Sequence, residues 1–290
     1  MTIVIVSSIQ DEASTNIKQG LLELDEWDSI NTFFGKEVFQ HGKFSDVFMV
    51  TIPDKTILHE ELEQQLKDQL KLLPSQILFI SRHRSKSGNP TLSTHPIGNY
   101  ALAEFGGKTR MLTPAIPRLM TNLLRTMKQK AIENKLIHEV TYEVTHHGPF
   151  LKTPTLFAEV GSDLEEWKKK KPALVVAESI LSVLHDKKYE RDYPTDTPVL
   201  IGIGGGHYAP RFTTFALERN VAFGHMIPSY HVKPGHIDKQ MLKKAIDATS
   251  NVSGIYLDRK ALPSLFKKEI ESWLEDLGLS LVSSTDFKEI

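Results

Sequence analysis

The sequence predicts an α/β fold, a central mixed sheet with helices on both faces, and three observations predict it. Short apolar runs of strand length alternate along the chain with segments of helical spacing. Some runs are apolar at every position, as a strand buried on both faces must be. Four strands then stop in polar turns rich in Arg, His or Gly, and in open α/β sheets the ligand sits beyond the carboxyl ends of the strands.

The first strand is expected at Thr2–Ser8, too soon polar and too poor in basic flank for a leader peptide. A helix over Asp11–Leu22 sets Ile17, Leu21 and Leu24 on one side. Val47–Ile52 reads as a strand, and His59–Leu72 as a helix stopped by Pro74. Gln76–Ser81 is a continuous apolar run. Pro114–Lys135 is a long helix opened by proline-marked turns. Glu139–Thr145 alternates as a strand does, Leu156–Val160 is a short strand and Pro172–His185 is helical. Val199–Ile203 is a strand that runs into three glycines. A helix (Phe212–Arg219), a strand (Val221–His225), a helix (Asp238–Ala248) and a strand (Ser253–Leu257) follow, and a helix (Pro263–Leu277) and a strand (Leu279–Ser283) close the pattern. Arg191–Pro198 is the loopiest stretch, yet nothing there divides the chain. Residues 1–290 are expected as a single α/β domain with room for two lobes.

Composition narrows the chemistry. At 290 residues, 40% hydrophobic and 24% charged, the chain has material for a large core. It contains no cysteine, which excludes a thiol nucleophile, a disulfide and a thiolate-bound zinc. Any metal must use His, Asp, Glu or water. No apolar run nears the roughly 20 residues that span a bilayer, so a soluble intracellular protein is expected. The net charge is −1, so a polyanionic partner would need a local basic face. Lys108, Arg110, Arg118, Arg125, Lys128 and Lys130 form one candidate, and Lys168–Lys171 a second; solvated helix surface is the alternative reading of both, and the preferred one for the lysine run.

The strand ends supply the candidate residues. Ser81-Arg82-His83-Arg84-Ser85 concentrates cations suited to phosphate contacts; a charged surface loop is the alternative. In Thr145-His146-His147-Gly148-Pro149, two adjacent histidines reach one centre only if the strand has ended, as Gly148-Pro149 indicates; otherwise one is a packed core residue. Glu159 follows an apolar strand as a general base or metal ligand, or else caps or pairs near the helix that Asp163 begins. Gly204-Gly205-Gly206 offers backbone N–H groups to an oxyanion or a nucleoside and places His207 next to whatever is held there. Its alternative is a tight turn with an incidental histidine. His225 and His231 are expected as supporting or core residues.

The motifs taken together resemble the archaeal and plant type of D-aminoacyl-tRNA deacylase. The residues that carry the resemblance are Ser81-Arg82-His83, His95-Pro96-Ile97-Gly98-Asn99, Thr145-His146-His147-Gly148-Pro149, Glu159-Val160-Gly161-Ser162, Glu166-Trp167, the run Gly202–Pro210 and Gly224-His225. They stand in the family order over most of the chain; Ser29–Pro53 and the tail beyond Leu257 carry no matching motif. The resemblance implies a phosphorylase- or peptidyl-tRNA hydrolase-like fold and a zinc-associated hydrolase of the cytoplasm. It would release free D-amino acid from mischarged tRNA. On this reading His147, Glu159 and His207 are catalytic, and His146, His147, His207 and Glu159 are the candidate metal ligands. Arg82, His83, Arg84, Gly204, Gly205 and Gly206 bind substrate. Aminoacylated tRNA is the expected partner, with no membrane and no DNA, and the chain a monomer or homodimer. Two other classes use the same residues: a metal-dependent amidohydrolase or carboxypeptidase acting on small molecules, and a non-catalytic RNA- or nucleoside-binding module.

Overall fold

Two sheets carry the fold in a computed structural model of the chain, which describes residues 1–186, 196–232 and 234–290. The elements up to the middle of the chain are β1 (Ile3–Ser8), α1 (Glu12–Leu24), β2 (Trp27–Phe33), β3 (Lys36–His41), β4 (Val47–Ile52), α2 (Leu62–Leu70), β5 (Gln76–Arg82), β6 (Thr91–His95), α3 (Pro117–Glu133) and β7 (Glu139–Tyr142). There follow β8 (Thr155–Gly161), α4 (Leu164–Trp167), α5 (Lys170–His185), β9 (Val199–Ile203), α6 (Pro210–Glu218), β10 (Ala222–Ile227), α7 (Ser229–Val232), α8 (Lys239–Asp247), β11 (Val252–Leu257), α9 (Ser264–Leu277) and β12 (Leu281–Val282). The larger sheet has eight strands in the order β2-β3-β4-β1-β5-β8-β6-β7, and the smaller has four in the order β10-β9-β11-β12. The larger is mixed, since β6 runs antiparallel to β8, and β3 antiparallel to β2 and β4; the pairings of the smaller are all parallel.

The period of two sorts the large sheet's side chains between two cores. Ile3, Ile5, Leu78, Ile80, Leu156, Ala158 and Val160 face the layer of α1, α3 and α5. Val4, Val6, Ile77, Phe79 and Phe157 face the other side, against Leu62 and Leu66 of α2. The second face has thin helical cover, and the functional side chains lie there. Ser81 and His83 continue the parity of Ile77 and Phe79, and Glu159 that of Phe157. His95 joins them because its strand pairs it directly with Phe157, and Ser93 with Glu159. Helix α3 lies between the sheets. Its Leu119, Leu123 and Met127 share a core with Phe212, Phe223 and Met226, while α8 and α9 cover the far face of the small sheet.

Most predicted elements stand within a few residues of their expected bounds, and the departures have local causes. Helix α2 is shorter than His59–Leu72, because Glu61 (φ +62°) and Lys71 (φ +57°) take left-handed backbone at its two ends. Strand β7 stops at Tyr142, short of Thr145. The next backbone bonds reach across to the small sheet, from Val144 N–H to His207 O (3.0 Å) and from Thr145 N–H to Met226 O (3.0 Å). The hairpin β2–β3 and strand β6 were not predicted. Residues 191–195 of the loop Arg191–Pro198 lie outside the described residues.

The first basic stretch is not a free cationic face. Arg110 donates to His236 O (2.7 Å) and pairs with Asp238 (2.7 Å), and Arg118 donates to Thr197 O from two nitrogens. Arg125 donates to the carbonyls of Ala216 (2.8 Å), Arg219 (2.7 Å) and Val221 (3.2 Å). Lys108 lies over the Phe150 ring, and Lys130 pairs with Glu133. The guanidinium of Arg125 thus satisfies carbonyls at the end of α6 and ties α3 to the small sheet. Replacing Arg125 by Met should cost about 1.5–3 kcal/mol, as loss of charged hydrogen bonds does. The expected fall in Tm is roughly 3–9 °C, read by thermal unfolding of both proteins. An unchanged Tm would deny Arg125 this role.

Candidate active site

A cleft of about 420 Å³ opens at the carboxyl ends of β5 and β8, lined by Ser81, Arg82, His83, Arg84, His146, His147, Glu159 and His207 among others. A carboxylate that the sequence reading passed over lies behind it. Glu143, the first residue past β7, is 0% exposed. Its Oε2 is 2.8 Å from His207 Nε2, 3.1 Å from His83 Nδ1 and 3.5 Å from His146 Nε2. Glu159, 2% exposed, lies 3.6 Å from His95 Nε2 and 3.7 Å from His83 Nδ1. His83 therefore stands between two buried acids, and its other nitrogen meets Tyr208 Oη at 2.9 Å.

Electrostatics separates the two acids. Burial alone would raise Glu143, but the His83 cation and the N–H groups of His207 and His83 hold it well below the usual carboxylate range. Burial raises Glu159, and the negative charge of Glu143 adds to that against the pull of His95. Burial would lower His83, yet Glu143 and then Glu159 outweigh it and carry the imidazole up to about 10. It is a cation at neutral pH. His146 and His147 go the other way: burial, then the neighbouring imidazoles, press both well below the ordinary value, so both are neutral.

Three histidines form a second grouping. One ring nitrogen each from His95, His146 and His147 lie within 4.8 Å of one another. In each ring Nδ1 faces a backbone carbonyl: Pro96 O at 3.2 Å, Val144 O at 2.8 Å and Gly148 O at 3.1 Å. A carbonyl only accepts, so in the neutral rings of His146 and His147 Nδ1 carries the proton and the Nε2 lone pair is left free; burial would lower His95, yet Glu159, 3.6 Å from its Nε2, raises it. Backbone tethers of this kind fix the tautomer and orientation of metal-binding histidines. The buried His95 Nε2 and both Glu143 oxygens lack a fully formed hydrogen bond within the protein, which leaves donors for a cation. The chemistry of this set fits zinc. His146 and His147 face one centre because His147 adopts left-handed backbone (φ +45°), which breaks the alternation of the strand.

The expected residues divide as follows. His83, His146, His147, Glu159 and His207 come together in the cleft. Arg82 lines it with its guanidinium 4.8 Å from the Trp167 ring, and Trp167 Nε1 donates to His83 O (2.9 Å), so Glu166-Trp167 supports the β5 terminus. Arg84 is exposed at the rim. Gly204, Gly205 and Gly206 do not line the cleft. Gly204 gives its N–H to Ile227 O (2.8 Å), and with φ +118° any Cβ there would meet Asp258 at 2.8 Å. The glycine turn places His207, and the Gly204 N–H is taken up within the protein. His207 Nε2 is turned to Glu143, whereas His95, quoted in the motif but not singled out, completes the histidine trio. His225 is a core residue, bonded to Thr145 and Thr113 O. Glu143 had one signal in the sequence: a lone acid inside Val140-Thr141-Tyr142-Glu143-Val144, since an acid is almost never fully buried unless paired.

Imidazoles and paired carboxylates, held by an α/β scaffold at the strand ends, define a hydrolytic enzyme of the α/β class. The family model described as D-aminoacyl-tRNA deacylase matches residues 71–282. The D-aminoacyl-tRNA deacylase of Thermococcus onnurineus is 39% identical over 96% of this chain and 98% of its own, and that of Pyrococcus furiosus 36% identical over the same shares. A crystal structure described as a conserved protein of unknown function, AF0625, matches with a TM-score of 0.88 at 31% identity, covering 100% of this chain and 99% of that one. The chain belongs to the D-aminoacyl-tRNA deacylase family.

The geometry makes Glu143 the residue on which the others depend. Glu143→Gln should lower kcat roughly 10²–10⁴-fold, the range of a lost acid–base group or its orienting partner, with the circular dichroism spectrum preserved. His207→Ala, whose side chain is 39% exposed, should lose turnover on the same scale with little change in Tm. Turnover within about threefold of the parent in both variants would place the chemistry elsewhere.

Proposed function

We propose that the protein hydrolyses the ester between a D-amino acid and the terminal ribose of tRNA, releasing both. The observation that carries this reading is 39% identity over 96% of the chain to a D-aminoacyl-tRNA deacylase. The cleft supports it, with room for a group of nucleoside size and imidazoles at its floor. The small-molecule amidohydrolase reading has no support of this kind. A binding module would not need two buried acids wired to imidazoles.

With Nε2 turned to Glu143 at 2.8 Å, His207 keeps Nδ1 for taking a proton from an entering water and returning it to the leaving ribose oxygen. Glu143, ionised and without solvent contact, holds that tautomer and steadies the imidazolium that forms, as the buried acid of a catalytic triad does. His83 donates from Nδ1 to Glu143 and from Nε2 to Tyr208 Oη. Glu159, held toward its neutral form by burial, is suited to donate a proton. A zinc ion would be held by His95, His146 and His147 through Nε2, and when bound would supply Lewis-acid chemistry at the ester carbonyl. Arg82, Arg84 and Lys55 border the cleft and are placed for RNA phosphates. We place the enzyme in the cytoplasm with its substrate.

Two measurements test this reading. Hydrolysis of D-aminoacyl-tRNA should exceed that of the L-form by at least about 10²-fold in kcat/KM, near 2.7 kcal/mol of discrimination; equal rates would sink it. Metal analysis of protein purified without chelator should find about one zinc per chain, lost in the His146→Ala, His147→Ala double variant. A fully active, metal-free preparation would refute the metal role and leave the acid–base groups alone.

A further inference from the structure

We infer that Phe105 is a stacking platform for the terminal base of the RNA, which rests on the aminoacyl-tRNA reading above. Among the described residues that line the cleft, Phe105 is the one Phe, Tyr or Trp; the remainder are imidazoles, cations, acids, Ser, Thr, Gln and Ile57. Its ring is 63% exposed. A lone exposed phenylalanine is ordinary on a protein surface. This one sits at the mouth of a catalytic cleft and is held there on both sides.

Three bonds hold the loop. Phe105 O accepts from Gly148 N–H (3.1 Å), Gly106 O from Asn99 Nδ2 (2.9 Å), and Gly107 N–H donates to Glu60 Oε1 (2.8 Å). Gly106 (φ +78°) and Gly107 (φ +79°) turn the chain immediately after the ring, and a Cβ on Gly106 would overlap Ile57 O. Nothing larger than glycine makes this turn against Ile57. Gly148 directly follows His147, so the bond that fixes Phe105 also joins it to the histidine trio.

Substrate chemistry supplies the match. An ester on the terminal ribose, brought to His207, carries its base one sugar away, toward the rim. That nucleotide ends a single strand, where a base has an open π-face to offer an aromatic ring. Lys55, Arg82 and Arg84 border the same cleft with positive charge for the phosphate backbone. Aromatic platforms flanked by cations are how single-stranded ends are gripped without reading sequence.

The test uses the full-length holoenzyme. Phe105→Ala should raise KM for D-aminoacyl-tRNA by roughly 5- to 100-fold, the scale of one lost base stack, with kcat within about twofold and Tm unchanged. Phe105→Trp should restore KM, and Phe105→Leu should not. Hydrolysis of a D-amino acid methyl ester, which has no base, should be the same in all four proteins. A direct reading of the stack comes from uncharged tRNA with 2-aminopurine in place of its terminal adenine: the parent should quench its fluorescence, and Phe105→Ala should not. A KM within twofold of the parent in Phe105→Ala, or equal quenching by both proteins, overturns the proposal. Quenching lost in Phe105→Ala, in a parent that hydrolyses no D-aminoacyl-tRNA, would uphold the stack and reject the deacylase reading.

Discussion

A carboxylate with no solvent contact organises this molecule. Removing a charge from water costs several kcal/mol even after relaxation, and the cost is recovered only where partners are held in place. Glu143 meets it with His83 and His207, which come from two separate segments of the chain. One is the terminus of a strand buried on both faces, and the other follows a glycine turn. Each arrangement is constrained by the requirement that an imidazole reach the same oxygen. The second acid, Glu159, is shaped by the first: with Glu143 ionised, burial and repulsion favour its neutral form. One acid orients while the other keeps a proton, a division of labour that environment alone can impose on two like groups.

The imidazoles divide in the same way. His83 is a cation because it lies between two acids, whereas His146 and His147 are neutral because they lie against other imidazoles. Backbone carbonyls on Nδ1 of His146 and His147 settle which nitrogen each presents. A cationic, proton-holding side and a neutral, electron-pair-donating side therefore adjoin within one cleft.

Much of this was legible in the sequence, and what was not has physical reasons. The β1, β5, β8 and β9 runs announced themselves because both faces are buried. Hairpin β2–β3 did not: Asp28 to Thr32 are all exposed, so no buried face imposes an alternation. Strand β6 was hidden by its polar Thr91, Ser93, Thr94 and His95, buried for the sake of the site and not of the core. His83, His146, His147 and His207 were found because they follow apolar strands, and Glu159 because it is the one charged residue of the β8 run. Glu143 was missed because it sits inside the alternating pattern, and His95 because its strand was unseen. In the stretch Lys108–Lys130 charge can be counted in sequence, but the carbonyls that absorb Arg118 and Arg125 come from residues about 80 to 95 positions away.

The bonds from Val144 to His207 and from Thr145 to Met226 make the cleft a product of both sheets. That has a consequence for a chain made from one end to the other. Sixty residues of sequence separate His147 from His207. At ~5–20 residues/s that interval lasts roughly 3–12 s on the ribosome. For that time Glu143 has only part of its set of imidazoles. The set around Glu143 is completed late in synthesis, when the second sheet brings His207 to an acid already in place.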